Sequence, residues 1–585
     1  MSYRASTLLP TLLIVISATG LFGQPTATKP QVEFSTYFGG KGNTSGSIRV
    51  DKQGFIYVVG TTYASEFPTT PGAYRSTPRL VCSSGTCFYY TGFVAKFTKD
   101  GSHLVFSTFI DEASPSGFDI DSQGNVYITG EAPYGQFNAT PGAIASFCQP
   151  DFDPTFPPCT WLIKMNATGK QRVYATLLTE SRYLSPRDLA VNAAGEVYIG
   201  GQANPGVYTT PNALRKEISH TSEAGFVVKI SAQGDRLLYA TYLGFSYPRT
   251  TLRAIAVARN DKLIAVGRVE RDFPTTRSAY SRTYKGNGDA FVAKRSSDGS
   301  SLAAATMLGG TGSEEPWNVA VDPDLNVYVL GSTMSTDYPT TAGAFRTTSR
   351  CTTTNCQDTF LTKIPPDFSK PVYSTYLARD QNANYLAVDA VGHAYVSGET
   401  SVTGYPMVKP IHSNATTILI SKLNTAGTGL LFSSYYGAKG VFVYRGIVDL
   451  DPSGDAYFAG FSNGPGFPVT PGAYQSTNLN KYQTVLWKFN LPPCNLSSTS
   501  PSITICTPLS SEPVTAPVLV AAGATNSSPI SSMVVYVDGV QQYLIEGYSH
   551  FDTKIAMSSG LHHLTVKAWD TTGQVFSATQ DVTVK

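Results

Sequence analysis

Along most of the chain apolar and polar residues alternate in short runs bounded by Gly, Pro, Asn and Asp, which is the period of a β-strand and not of a helix. One stretch shows the unit. Gly117 to Asp121 reads as a short strand, Asp121-Ser-Gln-Gly124 as a turn, and Asn125 to Gly130 as an alternating strand. A long connection then leads to Trp161-Leu-Ile-Lys164, a turn at Gly169, and a fourth strand from Val173 to Leu177. The Asp-x-x-Gly step is hairpin chemistry, because Asp hydrogen-bonds the turn backbone and Gly takes the positive φ of a bulged loop. The pattern predicts strands A, B, C and D of one small antiparallel sheet.

The unit recurs about every 60 to 70 residues. Phe34-Ser-Thr-Tyr-Phe-Gly-Gly40 returns as Phe106-Ser-Thr-Phe, Tyr174-Ala-Thr-Leu, Tyr239-Ala-Thr-Tyr-Leu-Gly244, Ala304-Ala-Thr-Met-Leu-Gly-Gly310, Tyr373-Ser-Thr-Tyr-Leu377 and Phe432-Ser-Ser-Tyr-Tyr-Gly437. The turn returns as Asp51-Lys-Gln-Gly54, Asn192-Ala-Ala-Gly195, Asp322-Pro-Asp-Leu-Asn326, Asp389-Ala-Val-Gly392 and Asp451-Pro-Ser-Gly454, with Ala258-Arg-Asn-Asp261 in the fourth unit. Strand C ends in Lys nearly every time, at Lys96, Lys229, Lys294, Lys363, Lys422 and Lys488, and this Lys is expected to point outward at the sheet edge. A repeat of this length marks an architecture in which each unit buries its face against its neighbours.

Strands A, B and C occur seven times between Gly46 and Phe489, whereas no seventh D strand follows Phe489 and one stands alone at Val32 to Tyr37. If that N-terminal strand pairs with the last strand C, the circle shuts without an exposed edge. The expected fold is all-β: a seven-bladed β-propeller of four-stranded blades, its N-terminal strand closing the last blade. The quoted units, with Phe67-Pro-Thr-Thr-Pro-Gly-Ala-Tyr74 and Phe93-Val-Ala-Lys96, resemble the SBBP-type β-propeller repeats of secreted bacterial proteins over about 455 residues. The sixth unit departs most, with Tyr405-Pro-Met-Val-Lys-Pro-Ile411. The resemblance implies architecture and export; the family has no common catalytic residues to carry over.

The ends and the cysteines refine this picture. A basic start at Arg4, an apolar run from Leu8 to Ile16 and small residues through Gly23 predict a signal peptide at 1–23, followed by a linker at 24–31 and the propeller at 32–491. No second apolar segment of membrane-spanning length appears before Lys585, so a monomeric chain without a transmembrane segment, secreted or held at the cell surface, is expected. The eight cysteines fall in local couples, Cys82 with Cys87, Cys148 with Cys159, Cys351 with Cys356 and Cys494 with Cys506, which in an exported chain suggests disulfides. A zinc site is the rival reading, but the couples lie in different repeats without His among them. After a linker at 492–501, alternating runs at Val518, Met533 to Gly539, Phe551 to Met557, Leu561 to Trp569 and Val575 to Val584 suggest an immunoglobulin-like sandwich at 502–585. Val535-Tyr-Val-Asp-Gly539 and Gly560 to Asp570 look like bacterial Ig-like modules.

Charge and chemistry narrow the function classes. A net charge of +2 and the lack of any Lys/Arg stripe set nucleic acid aside. No metal-ligand spacing, Gly-x-Ser-x-Gly elbow or P-loop occurs, so no cofactor, no metal and no catalytic residue is assigned. Asp322 to Asn326 resembles the start of a calcium loop but lacks its Gly and distal Glu. The Phe-Pro-Thr-Thr segments repeat in most units and read as packing plugs.

Residues that do not repeat, near the starts of the A strands, are the candidates for ligand binding: Tyr183, Arg187, Tyr247, Arg249, Arg253, Glu314, Glu315, Trp317, Tyr444 and Arg445. Rings beside guanidinium and carboxylate groups suit an extracellular carbohydrate or protein; the plainer reading is solvated loop charges with an aromatic at each junction. A binding or scaffold protein is therefore expected, and the alternative is a secreted hydrolase or lyase working in the central funnel. Glu314 and Glu315 are adjacent, and in an extended segment adjacent side chains diverge, which weakens that alternative.

Overall fold

The computed structural model describes residues 30–585 apart from 84–85, 111, 113, 133–134, 149–158, 180–183, 219–222, 245–249, 352–355, 380, 401–403, 415–416, 494–495 and 509–512. The expected signal peptide lies outside the described residues, among which there is no helix. Seven four-stranded antiparallel sheets follow one another between Gln31 and Asn490. Their first strands are Thr44–Val50, Pro115–Ile120, Leu184–Val191, Thr251–Val257, Glu314–Val321, Gln381–Val388 and Val443–Leu450, and these number the sheets 1 to 7. Within sheet 1 the order is Thr44–Val50, Ile56–Thr62, Thr91–Phe97 and Leu104–Phe109, each strand bonded to the next.

Sheet 7 is made differently. Its fourth strand is Gln31–Phe38 from the start of the chain, paired antiparallel with Gln483–Asn490. Sheet 7 in turn packs against sheet 1 through Ile447, Tyr457 and Leu486 beside Ile48, Ile56 and Val58. The middle strands are buried on both faces, which is why they read as near-continuous apolar runs such as Ile56-Tyr-Val-Val and Phe93-Val-Ala.

The two repeated phrases are halves of one contact. The Thr that ends the Phe-Pro-Thr-Thr segment, or its variants Phe137-Asn-Ala-Thr140 and Phe467-Pro-Val-Thr470, gives its N–H to the fourth strand: Thr70 to Ser107 at 3.0 Å, Thr140 to Ala175 at 2.9 Å, Thr276 to Ala305 at 3.1 Å and, across the chain, Thr470 to Ser35 at 3.1 Å. The Thr of the fourth strand answers by accepting a backbone N–H from the same segment, as Thr108 does from Arg75 (2.9 Å), Thr306 from Ser281 (3.0 Å) and Thr36 from Gln475 (2.9 Å). In sheet 6 the departing segment is held by a reversed pair: the Ser433 N–H donates to the Val408 carbonyl at 2.9 Å, and the Val408 N–H donates to Ser433 Oγ at 2.7 Å. The long connection thus covers the outer edge strand and leaves it unavailable for pairing with other chains. Its aromatic packs on the third strand: Phe67 lies 4.6 Å from Phe93 and Phe273 stacks 4.3 Å from Phe291.

The third-strand Lys is not an outward edge residue. The third strand lies between the second and the fourth, and the Lys is buried there in sheets 3, 5, 6 and 7 (Lys363 and Lys422 are each 5% exposed) and half-buried in sheets 1, 2 and 4; in all but sheet 4 its ammonium lies against a first-turn Asp and the ring of a second-strand Tyr. Lys363 Nζ is 3.2 Å from Asp322 and 4.8 Å from the Tyr328 ring centre, and Tyr328 donates to Asp322 at 3.0 Å. Sheets 1, 2, 6 and 7 repeat the triad with Asp51, Asp121, Asp389 and Asp451. Asp322 is therefore committed to this lock. The one hydroxyl proton is shared with the next turn, Tyr328 Oη lying 3.0 Å from the Gly392 carbonyl and Tyr395 Oη 2.7 Å from that of Gly454.

Sheets 3 and 4 break the pattern together. Sheet 3 has Asn192 where Asp belongs, and Asp261 of sheet 4 supplies the missing carboxylate: Asn192 donates to it at 2.5 Å, Tyr198 at 2.6 Å and Lys229 at 2.9 Å.

Cys148–Cys159 and Cys351–Cys356 are disulfides. Cys87 and Cys506 are also disulfide-bonded, while the side chain of Cys82 and residue Cys494 lie outside the described residues.

After Leu491 the tail forms two sheets, one of Ser502–Thr507, Val518–Thr525 and His550–Ile555, the other of Val540–Glu546, Ile530–Val537, Gly560–Asp570 and Val575–Val584. They share a core of Val520, Met533, Val535, Phe551 and Val566. The pattern reading missed Val540–Glu546, whose Val-Gln-Gln-Tyr-Leu-Ile-Glu carries its apolar groups on an exposed strand without clean alternation. His550–Ile555 lies on the hairpin turns of the ring. Its alternate residues share one side and carry alternating charge: His550 meets Asp455 of sheet 7 at 3.1 Å, Asp552 lies 3.6 Å from His393 and 3.8 Å from Lys422 of sheet 6, and Lys554 meets Asp324 of sheet 5 at 2.6 Å. Tyr548 reaches the Lys52 carbonyl and Lys99 that of Gly547, which adds sheet 1.

Two measurements test these contacts. Asp261→Asn keeps a residue tolerant of its φ of 63° but removes the charge; chemical denaturation is expected to show a loss of about 2 kcal/mol, most of it restored in Asn192→Asp/Asp261→Asn. Burial pulls the His550 imidazole down, but Asp455, with Asp451 and Asp552, holds it above its ordinary 6.5. Its contribution is therefore complete below pH 6.5 and is lost as pH rises through the elevated value. Limited proteolysis is expected to release the tail faster as pH is raised from 6 to 9, with much less change in His550→Gln.

Candidate functional site

The first strand of every sheet is an edge strand, and the seven edges surround a central channel of about 930 Å³. Six of the seven first strands carry a β-bulge at the same level, the first sheet alone being regular. The residues skipped in pairing are Ser116, Arg187, Arg253, Trp317, Asn384 and Gly446, and the first five line the channel. A bulge turns one extra side chain out of the ladder, and here it turns them inward around a common axis. Pro115, Pro186 and Pro316 stand just before three of the bulges, a place where the missing N–H costs no ladder bond.

The predicted site residues separate in this geometry. Arg187, Arg253, Trp317 and Arg445 line the channel. Arg253 Nε is 2.5 Å from Glu315 Oε1, and its guanidinium lies 5.2 Å from the Trp317 ring centre. Trp317 is held by its indole N–H on Ser332 (3.2 Å). Glu314 turns the other way and is fully buried, accepting from Thr333 (2.6 Å), Ser335 (2.5 Å) and the Gly310 N–H (3.2 Å). Burial raises its carboxyl above the ordinary value against the pull of these donors, and it belongs to the sheet framework. Tyr444 stacks on Phe461 at 4.9 Å on the long-loop face. Arg445 has a φ of 74°, its N–H bound to Glu399 (2.8 Å) and its guanidinium 6.0 Å from the Phe461 ring centre. Among the described residues no ion pair holds Arg187 or Arg445. Tyr183, Tyr247 and Arg249 lie outside the described residues.

The sequence reading missed the inner half of the channel. Arg49, Asp119, Asp188 and Asp449 all line it, with Arg49 Nε 3.7 Å from Asp119. Each carboxylate also accepts a backbone N–H of the next sheet: Asp449 from Val50 (2.8 Å), Asp119 from Val191 (2.9 Å) and Asp188 from Ile255 (2.9 Å). These bonds satisfy inner-edge donors that have no further strand to meet. Burial pushes all three carboxyls up despite Arg49 and the backbone donors, Asp188 to about 6. No local motif marks them, because their partners come from other sheets. Asp at inward positions of edge strands was the signal available.

A second hollow of about 770 Å³ opens on the hairpin face among Asn192, Glu196, Arg259, Asp261, Asp322 and Asp389. The channel offers guanidinium groups and an indole at the long-loop end and recessed carboxyl groups around Arg49 deeper in.

A family model described as SBBP, beta-propeller repeat, matches residues 33–68, the stretch from the closing strand into the first long connection. The chain therefore carries a β-propeller repeat, and its many four-stranded antiparallel sheets agree with that fold. No curated protein matches significantly. Among solved structures, similarity is found to a protein of unknown function from Dyadobacter fermentans, 10% identical over 79% of this chain and 99% of that one, with a TM-score of 0.34. An ulvan lyase, a polysaccharide lyase, is 8% identical over 79% of this chain and 94% of its own, with a TM-score of 0.37. A quinohemoprotein alcohol dehydrogenase from Pseudomonas putida is 9% identical over 85% and 80%, with a TM-score of 0.36.

The raised Asp188 carboxyl gives the channel a pH signature. Folding tightens its hold on a proton, from an ordinary 3.8 to about 6, so its support of the fold is complete below pH 3.8 and drains away as pH rises through 6. The melting temperature of the wild type minus that of Asp188→Asn is expected to fall between pH 4 and pH 6.5 and to stay flat above it.

Proposed function

We propose that this chain is an exported binding protein whose seven sheets are the blades of one propeller, residues 32–491, closed by the N-terminal strand. In this reading residues 1–23 are a signal peptide, 24–31 and 492–501 are linkers, and 502–585 is an Ig-like module docked on the hairpin face. The long-loop face and the channel mouth take an extracellular carbohydrate or protein. The observation that carries the proposal is the set of non-repeating side chains aimed into one channel by recurring bulges, chiefly Arg187, Arg253 and Trp317. An indole face and guanidinium donors at the mouth of a concave site supply apolar contact and orientation together. Tyr444 and Arg445 extend that surface at the rim. Glu315 serves to orient Arg253.

One observation favours the second reading, a hydrolase or lyase. Asp119, Asp188 and Asp449 converge with raised carboxyls, as an acid–base site requires. Against it, one oxygen of each is engaged by the next sheet and the other by its own following N–H, at 2.9 Å in all three. Carboxyl groups so committed serve better as braces than as proton carriers.

The test is a glycan and cell-wall polysaccharide array probed with residues 24–585, with Trp317→Ala and Arg187→Ala as variants. Binding is expected in the wild type and at least about tenfold weaker in both variants, with melting temperatures within a few degrees of wild type. A large stability loss would make the residues structural. Cleavage of a bound polymer that disappears in Asp188→Asn would establish the enzymatic reading instead.

A further inference from the structure

Seven aromatic side chains gather on the long-loop face where sheet 7 meets sheet 1. On the sheet 1 side, Tyr63 lies 5.0 Å from Tyr90 and 6.4 Å from Phe88, nearly parallel to the latter at 24°. On the sheet 7 side, Tyr444 stacks on Phe461 at 4.9 Å, with Phe442 at 5.9 Å and Tyr482 at 6.4 Å from Tyr444. The segment Asn43–Thr44 joins the two groups: the Asn43 carbonyl accepts the Tyr63 N–H at 2.9 Å, the Thr44 N–H goes to Tyr482 at 3.0 Å, and Asn480 bonds the Asn43 side chain at 3.0 Å.

These rings are not core. Six aromatic side chains are largely exposed among the described residues, and three of them meet here: Tyr63 at 46%, Phe88 at 42% and Phe442 at 48%. The other exposed aromatics, Phe147, Tyr208 and Tyr280, stand in separate connections. Exposed rings gathered in two groups on either side of one short segment of a folded chain mark a contact surface. Phe88 sits on a short hairpin, Leu80–Ser83 with Thr86–Tyr89, next to disulfide-bonded Cys87, so the ring is carried on a covalently tied strand before any ligand arrives. Two cations stand over the sheet 7 rings, Arg445 at 6.0 Å from Phe461 and Lys481 at 5.3 Å from Tyr482. The nearby acids are occupied, Glu399 by the Arg445 backbone N–H and Glu66 by Lys41 at 3.0 Å.

We infer that this aromatic rim is a binding site for an acidic polysaccharide, its pyranose faces lying on Tyr63, Phe88 and Phe442 and its carboxylates meeting Arg445 and Lys481. The inference rests on reading the long-loop face as the binding face and places a site beside the channel, whose lining it shares only through Arg445. Flat rings with apolar C–H faces match aromatic surfaces, and regularly spaced carboxylates match the two cations; a protein partner would want a deeper pocket for an anchor side chain.

Affinity electrophoresis of the full chain through gels containing polygalacturonate or dextran tests it. Polygalacturonate is expected to retard the wild type and dextran much less. Retardation should fall about tenfold in Tyr63→Ser/Phe88→Ser and several-fold in Lys481→Ala, whose exposed side chain makes no demand on folding, and should persist in Trp317→Ala. Absence of retardation by polygalacturonate, or retardation unchanged in both rim variants, overturns the rim site. Loss confined to Trp317→Ala would also overturn it while supporting the channel, so the two readings fail separately.

Discussion

A ring of sheets is only as sound as its seam. Each sheet here buries its faces against the two beside it, so a gap anywhere would bare two apolar faces at once. The seam is closed by a strand from the opposite end of the chain, Gln31–Phe38 on Gln483–Asn490. Bringing ends some 450 residues apart together costs about 5 kcal/mol of loop entropy by the logarithmic rule. The contact is built to exceed that. Beyond its ladder bonds, Tyr37 takes the N–H of Phe467 at 2.9 Å, and Trp487 stacks on Phe458 at 5.1 Å inside a cluster that includes Tyr37, Tyr436 and Phe489. The same Thr-to-strand exchange that caps the other sheets is completed here between Thr470 and Ser35, so the seam differs in connectivity and not in chemistry.

What could be read from the sequence was what repeats locally. Alternation marked the strands, Asp-x-x-Gly marked the first turn, and the stranded D strand pointed to its own partner. Relations between repeats were invisible, because no local pattern records them. The Phe-Ser-Thr and Phe-Pro-Thr-Thr phrases looked like separate elements, yet Thr108 and Thr70 hold each other's segments in place. The third-strand Lys was misread because its flanking residues resemble a half-exposed strand, while its true neighbour, the turn Asp, is some forty residues earlier. Asn192 and Ala258 both look like decay of the motif until Asp261 is seen to serve sheet 3 from sheet 4.

The channel follows the same division. That residues near the starts of the first strands would face a common axis was legible, and Arg187, Arg253 and Trp317 do so. That a bulge delivers each of them was not, although Pro186 and Pro316 immediately before two of them were a usable sign. Glu314 turns away from the site for a reason internal to strand geometry: of two adjacent carboxylates on a strand only one can turn to Arg253, and the other is buried in the sheet. The Asp119, Asp188 and Asp449 set escaped notice because its purpose, supplying acceptors to the inner edge of the next sheet, exists only in the ring.

The two faces of the ring carry different burdens, and this decides where recognition can evolve. On the hairpin face the turns are consumed: their Asp residues hold Tyr and Lys, and those of sheets 5, 6, 7 and 1 also receive the tail through the alternating charges of His550, Asp552 and Lys554. A change there disturbs the lock and the docking together. On the opposite face the outer segments are pinned by their Thr residues, but the bulged positions at the axis and the rings around Asn43 bear no such load. Side chains at those points can change without unlocking a sheet. The residues that differ from repeat to repeat are accordingly found at the axis and the rim of that face, where Arg253, Trp317, Tyr444 and Phe88 stand, and the repeated ones lie in the walls that hold them.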